Sequence, residues 1–181
     1  MIRFLHITVL AVALAACLFP AGELSGRRAP GFALPDSRMQ YHDLADYAGK
    51  VLILDVSQTG CPHCQKLAET LEKVKARYGD RIHILTVVNP PDNTVTVAEF
   101  IKTYKVTSPI LFDCGQMAAS YFKATPEYPT VSVPHLFLID QQGFIRNDFG
   151  YTTETKDIFE GNGLHKEIDG LLAGKPAPAN K

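Results

Sequence analysis

Two cysteines separated by two residues, in the run Cys61-Pro62-His63-Cys64, carry the strongest chemical signal in this chain. They sit where an apolar stretch, Val51-Leu52-Ile53-Leu54-Asp55-Val56, gives way to a turn and then to a helical pattern. Pro62 suits the first helical position, where its missing N–H costs nothing. Cys61 is then at the helix N-terminus, where unpaired N–H groups and the helix dipole favour negative charge. A thiolate is stabilised there, and a protonated His63 adds a positive charge beside it. Such surroundings lower a cysteine pKa from about 8.5 to between about 3.5 and 7.5. They also stabilise the reduced form, which makes the pair more oxidising. Cys64 lies one turn deeper, close enough to attack a mixed disulfide formed on Cys61.

Other uses of such a pair fit less well. A zinc site needs further ligands, and the chain has no second Cys-x-x-Cys and no Cys-x-x-His. Haem attachment needs a histidine after the second cysteine, and Gln65 stands there. A purely structural disulfide would close a tiny loop and restrain little of the unfolded chain.

The elements that must position the pair are legible around it. Residues 51–56 read as a strand buried on both faces, typical of a parallel sheet. A helix is expected over 62–78, with Leu67, Leu71, Val74 and Tyr78 on one stripe and Gly79 as its stop. A second buried strand is expected over 82–88 and a loop over 89–95. Helices are expected over 97–104 and 116–122, with a strand over 110–112 between them. Residues 135–139 and 144–149 read as a hairpin turning at Gln141-Gln142-Gly143, and residues 164–172 as a closing helix. Upstream, Phe32 and Leu34, then Met39 and Tyr41, flank turn residues Pro35-Asp36-Ser37 and suggest an opening hairpin. Leu44 and Tyr47 fit a short helical turn. Alternating strands and helices predict an α/β layer with a central mixed sheet flanked by helices.

The chain has 181 residues, 46% hydrophobic and 20% charged, with a formal charge of −1. That is enough for one domain and core, and no basic stripe points to nucleic acid. Residues 1–22 read as a leader: Arg3 is the only charge in the first twenty, and residues 4–19 are apolar apart from His6 and Thr8. Sixteen residues is short for a bilayer span and suits a secretory signal. Leu14-Ala15-Ala16-Cys17 resembles the lipobox of bacterial lipoproteins, in which the cysteine is lipidated. Soluble export and an uncleaved anchor are the alternatives. All three put the domain outside the cytoplasm, periplasmic or in the cell envelope, where disulfides persist. Residues 23–28 read as a tether, 29–174 as the domain, and 175–181 as a disordered tail.

The arrangement resembles the thioredoxin superfamily, and residues 29–174 look like its exported redoxin branch, the TlpA/ResA-like thiol-disulfide oxidoreductases. Ala29-Pro30-Gly31-Phe32-Ala33-Leu34 with Gly49-Lys50-Val51 is similar to the N-terminal hairpin which that branch adds. The dithiol follows a buried strand. Val131-Ser132-Val133-Pro134-His135, leading into Leu136-Phe137-Leu138-Ile139-Asp140, is similar to the strand carrying the family's cis-proline. The resemblance implies a thioredoxin-like fold, a cis bond at Val133-Pro134, and substrate contact through Val133. It also implies that Asp55, six residues before Cys61, acts as the buried aspartate that moves a proton from the second cysteine. A partly solvated strand-end aspartate is the other reading of Asp55, although an acid inside an apolar strand is costly to bury. The implied activity is disulfide exchange with protein thiols, without a bound cofactor and with a separate redox partner.

There are departures. Gly60 replaces the usual aromatic residue before the dithiol, Leu67 stands where many relatives have glutamate, and His135 replaces a small residue. Pro62-His63 resembles the strongly oxidising DsbA proteins instead. His135 has three readings: a histidine hydrogen-bonded within the fold, a group that gates substrate or tunes Cys61, or a copper ligand with Cys61 and Cys64. The last resembles Sco-type copper chaperones, whose cysteines are spaced by three residues rather than two. A thiol peroxidase is a further alternative. It needs a hydroxyl three residues before the reactive cysteine, where Gln58 stands, with Thr59 one place off. Cys114 reads as a small buried hydrophobe, with a resolving thiol as the alternative.

Overall fold

The computed structural model describes residues 22–174. Cys17 and the other residues of the leader up to 21, and the tail from 175, lie outside them.

A small hairpin comes first, β1 (Ala33–Pro35) antiparallel to β2 (Tyr41–Asp43), followed by a 3-10 turn over Leu44–Tyr47. The main sheet contains β3 (Val51–Ser57), β4 (Ile82–Val88), β5 (Ile110–Phe112), β6 (His135–Ile139) and β7 (Ile145–Gly150). Their order is β5-β4-β3-β6-β7. β3 runs parallel to β4 and β4 to β5, whereas β6 is antiparallel to both β3 and β7. The sheet is therefore mixed, as expected. Every residue of β3 is buried, which matches its uninterrupted apolar run.

Helices cover both faces. α1 (Pro62–Tyr78) packs Leu67, Leu71, Val74 and Tyr78 against Ile53, Ile84, Leu136 and Leu138. α4 (Lys156–Glu160) and α5 (Asn162–Leu172) complete that layer through Ile158, Phe159, Leu164 and Ile168. The opposite face, with Leu52, Leu54, Val56 and Phe137, is covered by the N-terminal segment and by α3 (Gln116–Phe122). α2 (Thr94–Tyr104) packs Val97 and Phe100 near β5. Leu67 is fully buried in the α1 layer. An apolar residue at that position serves packing, where a glutamate would leave a charge in the core.

Two expected boundaries move. The loop expected over 89–95 ends earlier: α2 begins at Thr94, because the Asn93 side chain accepts the N–H groups of Val95 and Thr96 and caps the helix. The residues read as a tether are packed on the domain. Leu24 and Ser25 are buried, and the Leu24 N–H donates to Asp148 Oδ2 at 2.7 Å. Arg28 bridges to Phe144 beside β7, and Asp36 bridges to Leu111 in β5. Among the described residues, no helix is long and apolar enough to cross a membrane.

Candidate active site

The site forms where β3 ends and α1 begins. Cys61 caps α1: its Sγ accepts the Cys64 N–H at 3.4 Å, and its carbonyl accepts the Gln65 N–H. Pro62 opens the helix, as its fixed φ favours. Cys61 is partly exposed and Cys64 fully buried, and both are free thiols. One sulfur can thus meet a large substrate, and the other can meet only Cys61.

Burial holds the Cys64 thiol far above its ordinary range. The hydrogen bond with Cys61 and the charge of Asp55 push the same way, while contacts with Ser57 and the Gln58 backbone oppose them. A thiol so placed needs a base to lose its proton. Asp55 is buried on β3, with 1% exposure, so it is not the partly solvated strand-end acid. Its Oδ2 accepts the Thr86 hydroxyl at 3.2 Å. Loss of water pushes its carboxyl up to about 7, against the opposing effect of the Thr86 and Ser57 hydroxyls. A carboxyl with that pKa can take and return a proton near neutrality.

The turn before the dithiol is anchored from outside. Thr59 donates both its N–H, at 2.9 Å, and its hydroxyl to the Asp92 carboxylate. Thr96, in the first turn of α2, donates to the same carboxylate at 3.0 Å. Gln65 Nε2 donates to the Thr59 carbonyl at 2.9 Å. Sequence reasoning did not single out Asp92, because its partner Thr59 lies 33 residues away. Gly60 is exposed, and a Cβ there would meet nothing within 4 Å.

The bond Val133-Pro134 is cis, as the resemblance implies, and Pro90-Pro91 is cis as well. Pro134 is buried and Val133 is half-buried against the layer of Leu54 and Phe137. His135 follows, paired with Val56 in the β3–β6 ladder.

The His135 ring is not assembled with the dithiol. It stacks on Phe137 at 4.5 Å, meets the edge of Phe122 at 5.1 Å, and faces Asp148 at 3.4 Å. Alternation along β6 explains this: Leu136 and Leu138 point to the α1 layer, so His135 and Phe137 point to the opposite one. The expectations that His135 tunes Cys61 or joins the two cysteines on copper are thereby corrected. Among the described residues, no group of three potential ligands converges. Cys114 is exposed, contrary to the buried reading. The chain has already left β5, and Asp113 turns inward to cap α3 through the Met117 and Ala118 N–H groups.

His63 is exposed on the first turn of α1, and its ring stacks on Tyr151, with centroids 4.2 Å apart and planes at 26°. Tyr151 was not singled out in the sequence, because 88 positions separate the two residues in the chain.

The comparisons with known proteins agree with this geometry. The AhpC/TSA family model matches residues 25–148. A protein named thiol-disulfide oxidoreductase ResA from Geobacillus kaustophilus is 26% identical over 133 residues, covering 74% of this chain and 73% of that protein. Other ResA relatives are spanned over 65% of their length. The sporulation thiol-disulfide oxidoreductase A of Bacillus subtilis is 32% identical over 100 residues, 54% of this chain and 57% of that one. The crystal structure of a thioredoxin-family thiol:disulfide interchange protein from Chlorobium tepidum superposes with a TM-score of 0.64, at 16% identity, over 80% of this chain and 95% of that one. The fold is thioredoxin-like, with an added N-terminal hairpin.

Proposed function

The chain belongs to the AhpC/TSA family, and within it we propose that this protein is a thiol-disulfide oxidoreductase acting on protein thiols through Cys61 and Cys64. The observation that carries this reading is the asymmetry of the pair: a half-exposed sulfur at a helix N-terminus, and a buried one above a carboxyl with a pKa near neutrality. The names of the relatives support the same activity.

In the reducing direction, the Cys61 thiolate attacks one sulfur of a substrate disulfide. The Cys61–substrate bond forms, the substrate S–S bond breaks, and one substrate thiolate leaves and is protonated. Asp55 then takes the Cys64 proton. The Cys64 thiolate attacks Cys61 Sγ, closes the Cys61–Cys64 disulfide and expels the second substrate thiolate. Two electrons have passed from the dithiol to the substrate. The oxidising direction is the reverse, and it begins with attack by a substrate thiolate on Cys61. Val133 and Pro134, beside the β3 end, are read as the backbone that meets the substrate. A second redox protein must then restore the pair.

Peroxide chemistry is a weaker reading, since the Thr59 hydroxyl is committed to Asp92 and Gln58 holds the position where a hydroxyl would be needed. We read residues 1–22 as an export leader, with Cys17 as the lipidated residue. Unchanged palmitate labelling in Cys17→Ala would rule that anchor out. The activity itself is tested by insulin reduction and by oxidation of a reduced substrate protein. Wild type is expected to catalyse at least one, and Cys61→Ser neither. Equal rates in both proteins would overturn the proposal.

A further inference from the structure

We propose that Tyr151 is a positioning residue for the dithiol: its ring is the platform that holds the His63 imidazole at the first turn of α1, beside Cys61. The inference rests on the reading of Cys61 and Cys64 as the exchanging pair.

His63 is exposed, and among the described residues no salt bridge or side-chain hydrogen bond holds it. An exposed imidazole samples several rotamers, so its charge is spread over a wide volume. Here the stack on Tyr151, at 4.2 Å and 26°, selects one orientation. Tyr151 is itself fixed. Its ring meets Phe159 edge-on at 5.2 Å and 74°, and Phe159 is buried under α1.

The backbone around Tyr151 is tied on both sides. Gly150 pairs with His135 in the β6–β7 ladder, directly after the cis-proline. The Thr155 hydroxyl donates to the Gly150 carbonyl at 2.7 Å, and the Thr152 N–H donates to Thr155 Oγ1 at 2.8 Å. Tyr151 therefore hangs between two anchored residues. It joins the end of the cis-proline strand to the dithiol helix.

Gly60 sharpens the point. The position before Cys61 carries no side chain, and the space around it is open. The aromatic surface that meets the first turn of the dithiol helix comes instead from Tyr151, the residue after β7. A tyrosine face attracts a cation through its quadrupole, so whenever the imidazole carries a proton the stack holds that charge at the first turn of α1. A cation held there lies close to the negative charge that develops on Cys61 Sγ as the disulfide opens, and so supports the reduced pair. Without the platform the reduced form loses support, and the pair becomes less oxidising.

The test is equilibration of the Cys61/Cys64 pair with glutathione in wild type, Tyr151→Leu, Tyr151→Phe, His63→Ala and the His63→Ala/Tyr151→Leu double variant. Tyr151→Leu is expected to shift the equilibrium about 2- to 10-fold toward the disulfide, the range of an aromatic pair. Tyr151→Phe is expected to keep the wild-type value. In the His63→Ala background, Tyr151→Leu is expected to add nothing. An equal shift with and without His63, or no shift in a folded Tyr151→Leu protein, overturns the proposal. Proton NMR gives an independent readout should Tyr151→Leu fail to fold. The His63 ring protons are expected to be displaced upfield by the Tyr151 ring in wild type and in Tyr151→Phe, and unshifted protons in both overturn the platform. Glutathione equilibration requires no protein substrate. Failure of the insulin and substrate assays would therefore sink the functional reading separately.

Discussion

Asp55 and Thr86 face each other across the parallel β3–β4 ladder, and the Thr86 hydroxyl donates to Asp55 Oδ2 at 3.2 Å. The other oxygen, Oδ1, is buried without a partner of good hydrogen-bond geometry, and the Ser57 hydroxyl offsets the loss of water less than Thr86 does. An under-satisfied buried acid is a poor way to hold a fold together and a good way to store a proton.

Stability should report this directly. The folded carboxyl titrates near 7, against an ordinary value of 3.8. The folded state therefore binds the proton more tightly than the unfolded chain, and stability falls as pH rises from about 4 to about 7. Urea unfolding at pH 5 and pH 8 is expected to show a loss on the order of 2 kcal/mol, which Asp55→Asn abolishes. The same variant is expected to slow closure of the Cys61–Cys64 disulfide, seen as a longer-lived mixed disulfide in quench experiments. Unchanged pH dependence would remove Asp55 from its role.

Burial of Cys64 predicts a sharp division of labour. Cys64→Ser should accumulate a mixed disulfide with a substrate protein through Cys61, visible on non-reducing gels and reversed by a small thiol. Cys61→Ser should accumulate none, since no substrate reaches the buried sulfur. Equal trapping by both variants would contradict the asymmetry.

Asp92 organises the turn before the dithiol by accepting from Thr59 and Thr96 together. Asp92→Ala leaves the Thr59 N–H without its partner, which should cost about 1–3 kcal/mol. Thermal unfolding measures the loss. Iodoacetamide labelling of Cys61 should speed up as the turn loosens.

Gly60 lies in open space, and its backbone is not left-handed. Gly60→Trp should therefore change stability by no more than about 0.5 kcal/mol. Denaturant titration tests this, and a large loss would mean that the position before Cys61 is more crowded than its geometry implies.

Much of the site could be read from the sequence because its determinants are local. The apolar run 51–56 gives β3, and Pro62 after a turn gives the start of α1 with Cys61 as its cap. Periodicity over 62–78 gives the buried stripe of that helix. What escaped depends on distant pairings. Leu24 and Ser25 look like a linker until Asp148, 124 residues from Leu24, captures its N–H. The face of His135 is set by the register of β6 on β3, which no local pattern reveals. Cys114 follows a strand in the chain without sharing its burial. Asp92 and Tyr151 join the site only through the fold.

The N-terminal segment reaches from one margin of the main sheet to the other, bridging Phe144 through Arg28 and Leu111 in β5 through Asp36. Outer strands with free N–H and C=O groups invite another molecule to pair with them. Here one stretch of chain occupies part of both margins. A protein that must keep a reactive sulfur open to solvent gains from this, because copies that do not zip together edge to edge spend less time with their sulfurs in mutual reach. The segment that completes the fold thereby also leaves less of either margin open to pairing with another copy.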